Sequence, residues 1–227
     1  MLRVFIIALC LQGIFAAKLF AQPTPETIRV TFSCISWNKP IGGNLYVNAG
    51  EGMEPVSIHT MQRSKPIEYE GPNPIVFYRE PSDKADGMAY VPVARVTVKP
   101  GIHEPLFLFF GSGDEYKIFE IEDSFDTFPV GSYRFLNLTN RNMLAQLGSN
   151  KLELNSRSLE KLMNPFESTH EYQVAFIVRE KDELTPAYYN RWMHFDNYRY
   201  LILISESKSQ DAGPMEFRIL SDMNLNQ

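Results

Sequence analysis

Two cysteines and four histidines in 227 residues leave this chain short of the side chains by which metal sites and covalent catalysts are usually recognised. One cysteine, Cys10, falls in an apolar leader. Only Cys34 would remain in a mature protein, so no internal disulfide can form and the core must hold by apolar packing alone. His59, His103, His170 and His194 are scattered, with no HExxH or CxxC setting, whereas zinc needs three or four converging ligands. No Gly-x-Ser-x-Gly elbow occurs, and Cys34 alternates with apolar neighbours, which reads as a buried thiol rather than a nucleophile. No apolar run beyond the leader is long enough to span a bilayer, and strands do not alternate with helical segments as a parallel α/β fold requires.

Basic residues are also scarce. Lys and Arg number 22 against 27 Asp and Glu; without Arg3 and Lys18 of the leader the basic count is 20 and the net charge about −7. That sign disfavours nucleic acid and anionic membrane, which demand a basic surface.

The leader, residues 1–21, has Arg3 as its basic start, an apolar stretch from Val4 to Ala17 and the small Ala21 at its end. An apolar stretch of roughly 14 residues is shorter than the ~20 that cross a bilayer, so it reads as a secretory signal, with a retained anchor as the competing reading. The expected location is secreted or periplasmic, with a mature start near Gln22 and no membrane span after cleavage.

The rest reads as strand. Ile28, Val30, Phe32 and Cys34 alternate with Arg29, Thr31 and Ser33, the mark of a half-buried antiparallel strand. Comparable runs follow at 44–48, 55–59, 74–80, 88–98, 105–110 and 115–121, and again at 132–138, 143–147, 151–155, 172–180, 187–195, 198–205 and 216–221. Gly-Pro and Gly-Gly clusters punctuate them, as in sandwiches and barrels. Leu106–Phe110 and Tyr200–Ile204 are apolar without interruption, which suits central strands covered on both faces. Ser158–Met163 is the one helical candidate, capped by Ser156 and stopped by Pro165, with a turn equally open. The proline-rich stretch 66–81 reads as a loop leading to an edge strand.

The second half looks like a worn copy of the first. Val76–Glu80 answers to Phe176–Glu180, with Arg79 over Arg179, and Glu115–Phe119 answers to Glu216–Leu220. Ile28–Phe32 aligns with Tyr133–Asn137 and Leu106–Phe109 with Leu201–Ile204, at offsets between 95 residues (Leu106 to Leu201) and 105 (Ile28 to Tyr133). Solenoid and propeller repeats run only ~20–50 residues, so a repeat of this length points to a duplicated domain. The expected organisation is a signal peptide at 1–21 and two tandem, internally duplicated antiparallel β-sandwich domains of all-β class, 22–125 and 126–227, each immunoglobulin-like. A single sandwich with larger sheets is the alternative.

Phe128-Pro129-Val130-Gly131-Ser132-Tyr133 resembles the Pro-x-Gly-x-Tyr phrase that leads into a strand in secreted bacterial transthyretin-like and immunoglobulin-like modules, and Val98-Lys99-Pro100-Gly101 is a shorter echo. The resemblance implies a non-catalytic bacterial module and carries no functional residues over. Two such domains behind a signal peptide also resemble periplasmic pilus chaperones in layout, without that family's basic cleft residues.

Candidate sites follow from composition. Tyr188, Tyr189 and Trp192 lie in the densest aromatic run and are the candidate binding surface, with ordinary core packing as the competing reading. Alternation puts Trp192 and His194 on one face and Arg191, Met193 and Phe195 on the other. Glu120, Glu122, Asp123 and Asp126 sit between the halves, where carboxylates of tandem sandwiches can share calcium; a solvated acidic linker is the alternative. No other cofactor is expected. Asn137-Leu138-Thr139 matches a glycosylation sequon. The leading functional expectation is a non-catalytic binding or structural module acting through sheet edges and loops on an envelope or extracellular protein or glycan. The alternative is a hydrolase of envelope or extracellular polymer using carboxylates.

Overall fold

Strands whose apolar residues alternate must hide one face, and strands that are apolar throughout must hide two; the arrangement of this chain follows from having both kinds. The computed structural model describes residues 26–37, 39–41, 43, 45–80, 90–112, 115–180, 183–207 and 213–223. The expected leader lies outside the described residues. Among them all regular structure is strand. The first half contributes β1 (Thr27–Ser36), β2 (Leu45–Asn48), β3 (Met53–Val56), β4 (Ile67–Pro72), β5 (Ile75–Arg79), β6 (Val91–Val96), β7 (Pro105–Ser112) and β8 (Glu115–Glu122). The second contributes β9 (Tyr133–Asn137), β10 (Asn142–Leu147), β11 (Asn150–Leu154), β12 (Leu159–Leu162), β13 (His170–Glu180), β14 (Glu183–His194), β15 (Tyr198–Glu206) and β16 (Met215–Met223).

These strands make four sheets of four, in the orders β4-β1-β7-β8, β3-β2-β5-β6, β12-β9-β15-β16 and β11-β10-β13-β14. In each half the first strand runs parallel to the seventh, β1 beside β7 and β9 beside β15, while the other pairings are antiparallel. An immunoglobulin constant-type sandwich pairs its first strand with its second. Here the first strand pairs with the fourth and seventh, so the order differs from the immunoglobulin one.

The buried side chains fall into three layers. Phe32, Phe77, Phe107 and Phe109 fill the space between the two sheets of the first half. Phe135, Phe176, Ile202 and Ile204 do so in the second. A third layer, Ile35, Leu106, Leu108 and Ile121 against Leu136, Leu201, Leu203 and Leu220, packs the two inner sheets on each other. The molecule is therefore a stack of four sheets. Leu106–Phe109 and Leu201–Ile204 are wholly buried because each strand sends alternate residues into two cores.

Several expectations change. The helical candidate is a strand, β12, paired with β9 and turned at both ends by residues of positive φ, Arg157 at 54° and Asn164 at 43°. Four residues with a ready ladder partner extend rather than coil. Within the proline-rich stretch, β4 is a complete strand on β1, with Ile67 and Tyr69 in the core and Pro72 at its end. Ile28 does not stand where Tyr133 stands: Cys34 pairs with Phe107 as Phe135 pairs with Ile202, so Phe32 is the counterpart of Tyr133.

The Pro-x-Gly-x-Tyr phrase has a physical role at the start of β9. Gly131 takes φ 78° and donates its N–H to the Tyr198 carbonyl at 2.6 Å; a Cβ there would stand 3.0 Å from Asn164 Oδ1. The positive φ calls for glycine, and the tight approach of Asn164 adds to the preference. Asn137, the expected glycosylation residue, is fully buried and donates its amide to the Arg141 and Asn155 carbonyls at 2.8 Å each, so it serves as a turn brace.

Candidate functional site

The acidic residues between the halves do not gather around a shared position. Asp123 is buried and accepts two bonds from Arg63, Nε to Oδ2 at 2.7 Å and Nη2 to Oδ1 at 3.2 Å. Its Oδ2 also lies 3.5 Å from Arg199 Nη2, and that same nitrogen donates to Asp222 Oδ2 at 2.8 Å. Glu122 Oε1 accepts from the Ser124 N–H and the Thr127 hydroxyl, and Glu120 Oε1 accepts from the Lys99 N–H. Burial raises the Glu120 carboxyl above its usual range, and Glu122 adds to the rise. Asp126 is exposed. Asp123 is thus held by guanidinium groups, Glu120 and Glu122 each bond through Oε1 while their Oε2 atoms are buried without a hydrogen-bond partner, and Asp126 faces solvent; no group of three or more His, Cys, Asp or Glu suited to an ion occurs among the described residues.

What does converge at this point is a clamp. Arg199 Nη1 donates to the Asp123 carbonyl at 2.6 Å, and its guanidinium lies 3.7 Å above the ring of Phe125. Arg134 donates to the carbonyls of Glu122 and Thr127 and covers Phe128 at 4.4 Å. Burial works against the charge on Arg63, yet Asp123 beside it lifts its pKa above the ordinary arginine value; on Arg134 burial prevails and lowers it. Four residues along β16 from Asp222, Arg218 crosses to the first half, donating to the Trp37 carbonyl and lying 4.5 Å above its indole. Guanidinium stacks and ion pairs therefore flank the apolar layer between the inner sheets. A cleft of about 590 Å³ opens beside Arg63, Asp123, Arg199 and Asp222.

Sequence reasoning found Asp123 and missed its partners. Arg134 and Arg199 left a signal, because a charged residue beside continuously apolar strand positions has to find a partner. Arg63 left none, since a loop arginine reaches its carboxylate 60 positions away only through the fold.

The aromatic candidates separate in the same way. β14 is the edge of an outer sheet, and a bulge between Phe176 and Ile177 of its neighbour shifts its register. Tyr188 and Trp192 turn inward against the second core, the indole Nε1 donating to the Tyr188 hydroxyl at 3.1 Å. Tyr189 turns outward and is 66% exposed, and Leu184 and Met193 of the same strand are exposed as well. The three residues do not share one face. Trp192 and His194 do share the inward face, opposite Arg191 and Met193, as alternation requires.

At the end of this hairpin His194 is wholly buried. Its Nδ1 lies 2.8 Å from the Tyr133 hydroxyl, and its Nε2 has no hydrogen-bond partner. Burial lowers its pKa, and the neighbouring His170 lowers it further. Cys34 is equally buried, and burial raises its thiol well above the ordinary range.

The chain matches no protein-family model and no curated protein.

Proposed function

We propose that the protein is an exported, non-catalytic module that recognises an envelope or extracellular protein or glycan through its outer sheets, and that its two halves are copies of one ancestral domain. The observation that carries the recognition reading is the four-sheet stack: both inner sheets are consumed by packing on each other, so the outer sheets supply the sheet faces that can meet a partner. Their outward rows are apolar at corresponding places. Tyr46, Tyr78 and Pro92 lie side by side across β2, β5 and β6, and Leu144, Ile177 and Pro186 across β10, β13 and β14.

The second half adds to this plan. The β13–β14 hairpin has strands of 11 and 12 residues where β5 and β6 have 5 and 6, and it carries the exposed Leu184, Tyr189 and Met193. Shared strand order, the shared parallel pairing and a bulge at the same step of both hairpins support duplication. The order also favours the transthyretin-like side of the resemblance carried by the Pro-x-Gly-x-Tyr phrase, since an immunoglobulin sandwich pairs its first two strands.

Capture of envelope and extracellular proteins and glycans with wild-type protein and with Tyr189→Ser and Leu184→Ser tests the reading. A partner retained by the wild type and lost at least tenfold by these variants, with unchanged thermal midpoints, supports it. Equal capture by all three, or polymer cleavage abolished by one carboxylate substitution, overturns it.

A further inference from the structure

The registry of β13 and β14 sets His170 directly opposite His194, with ring centroids 6.0 Å apart on the inward face of the hairpin. Every element packed on this point contributes a ring. Tyr133 of β9 lies 5.7 Å from His194, Tyr200 of β15 lies 6.1 Å away, and Phe166 from the segment before β13 lies 5.1 Å from His194 and 4.7 Å from His170. Tyr172 closes the box beside His170 at 6.1 Å. Among the described residues the one carboxylate acting on His194 is Asp196, in the turn after β14, whose Oδ1 accepts from the Thr169 hydroxyl at 3.2 Å. His170 holds the Ser168 carbonyl through Nδ1 at 2.7 Å.

A neutral His194 suits this box. A doubly protonated imidazole does not, because it would carry two N–H donors where the Tyr133 oxygen is the one hydrogen-bond partner seen for the ring, and His170 across the strands works against the added charge. Opening of this end of the hairpin would give both rings water. We propose that the His170–His194 pair is an acid-sensitive latch, which holds the beginning of β13 and the end of β14 together at neutral pH and releases them, with the Phe166 segment and the Asp196 turn, on acidification.

The signs agree with the surroundings. Burial and His170 both work against a proton on His194, while Asp196 attracts one, so the folded pKa lies below the unfolded value. Closure is thus at full strength above the ordinary histidine pKa and is lost as pH falls toward the depressed folded value. The inference goes beyond the recognition reading and does not rest on it.

Amide hydrogen exchange from pH 7.5 to 5.0, corrected for intrinsic rates and read with the imidazole NMR titrations, tests the latch in the full chain. Protection across 170–174 and 192–200 should fall about tenfold per pH unit for each proton taken up on opening, while β1 and β7 keep theirs. His170→Gln should weaken the response and complete it at higher pH, because removing the opposing ring brings the folded His194 value nearer the unfolded one. His194→Gln should flatten it. Unchanged protection at the hairpin end, an undiminished response in the two variants, or equal losses throughout both halves would overturn the proposal.

Discussion

Phe77 and Phe176 occupy the same step of two bulged hairpins. After Phe77 the pairing jumps from Ala94 to Pro92, and after Phe176 it jumps from Tyr188 to Pro186, so each strand skips one residue of its partner and meets a proline next. Both rings are fully buried at the centre of their cores. Aligning the halves on this step sets Arg79 opposite Val178 rather than Arg179. The charged pairs that look equivalent in sequence are therefore one residue out of register, and Arg79 reaches the Tyr116 hydroxyl while Arg179 reaches Glu153. Because the two phenylalanines do the same work, Phe77→Ala and Phe176→Ala should each cost about 3–5 kcal/mol in urea unfolding. A difference larger than that range would mean that the two sites are not equivalent.

Trp192 and Tyr189 give a sharper contrast within one strand. Trp192 packs 5.9 Å from Phe176 and 6.5 Å from Tyr172, and its indole N–H is bonded, whereas Tyr189 faces solvent. Truncating Trp192 to alanine should cost about 3 kcal/mol, the lower end for a large aromatic because the ring is only partly buried. Tyr189→Ala should stay within about 0.5 kcal/mol of wild type. Thermal unfolding of both variants checks the pair, and a neutral Trp192→Ala would place the indole outside the core.

Most strands are legible in the sequence because alternation is a local property, and the uninterrupted apolar runs Leu106–Phe109 and Leu201–Ile204 mark the two inner sheets. β4 is not, because Pro66 and Pro72 read as loop punctuation when they in fact bracket an edge strand. β12 is not, because four residues between two turns carry too little periodicity to separate strand from helix. Side-chain partnerships across elements are the least visible. Asp123 looks like a cation ligand since its acidic neighbours are adjacent in sequence, while the arginines that neutralise it come from residue 63 and residue 199. His170 and His194 look scattered because only hairpin registry makes them neighbours.

Cys34 should behave as a reporter of global opening. Its side chain lies in the first core beside Phe32 and Phe107, its N–H donates to Ser64 Oγ at 2.9 Å, and its carbonyl accepts the Ser64 N–H at 2.8 Å. A thiol whose pKa is raised by burial presents little thiolate, the nucleophilic form. Alkylation at pH 8 should therefore be at least a thousandfold slower than in the unfolded chain, an order set by the ~10³-fold lower bound on folding equilibria. Ser64→Ala should speed it by loosening the loop that covers the thiol. Labelling of the native protein at the unfolded rate would show that Cys34 is accessible.

The ion pairs at the junction should be worth more together than apart. Asp123 is held by Arg63 and Arg199, and both arginines also approach Asp222, at 3.8 Å and 2.8 Å. Removing one member of a buried pair strands the other charge, so Asp123→Ala should destabilise by about 3–5 kcal/mol. Asp222 is partly exposed, and water can replace it, so Asp222→Ala should cost only about 1 kcal/mol. Because Arg63→Ala and Asp123→Ala delete the same contact, the double variant should fall short of the sum of the singles by about 1–3 kcal/mol. Chemical denaturation of the four proteins measures that coupling. Strict additivity would mean that Arg63 and Asp123 act independently, and that the pair contributes nothing beyond its separate side chains.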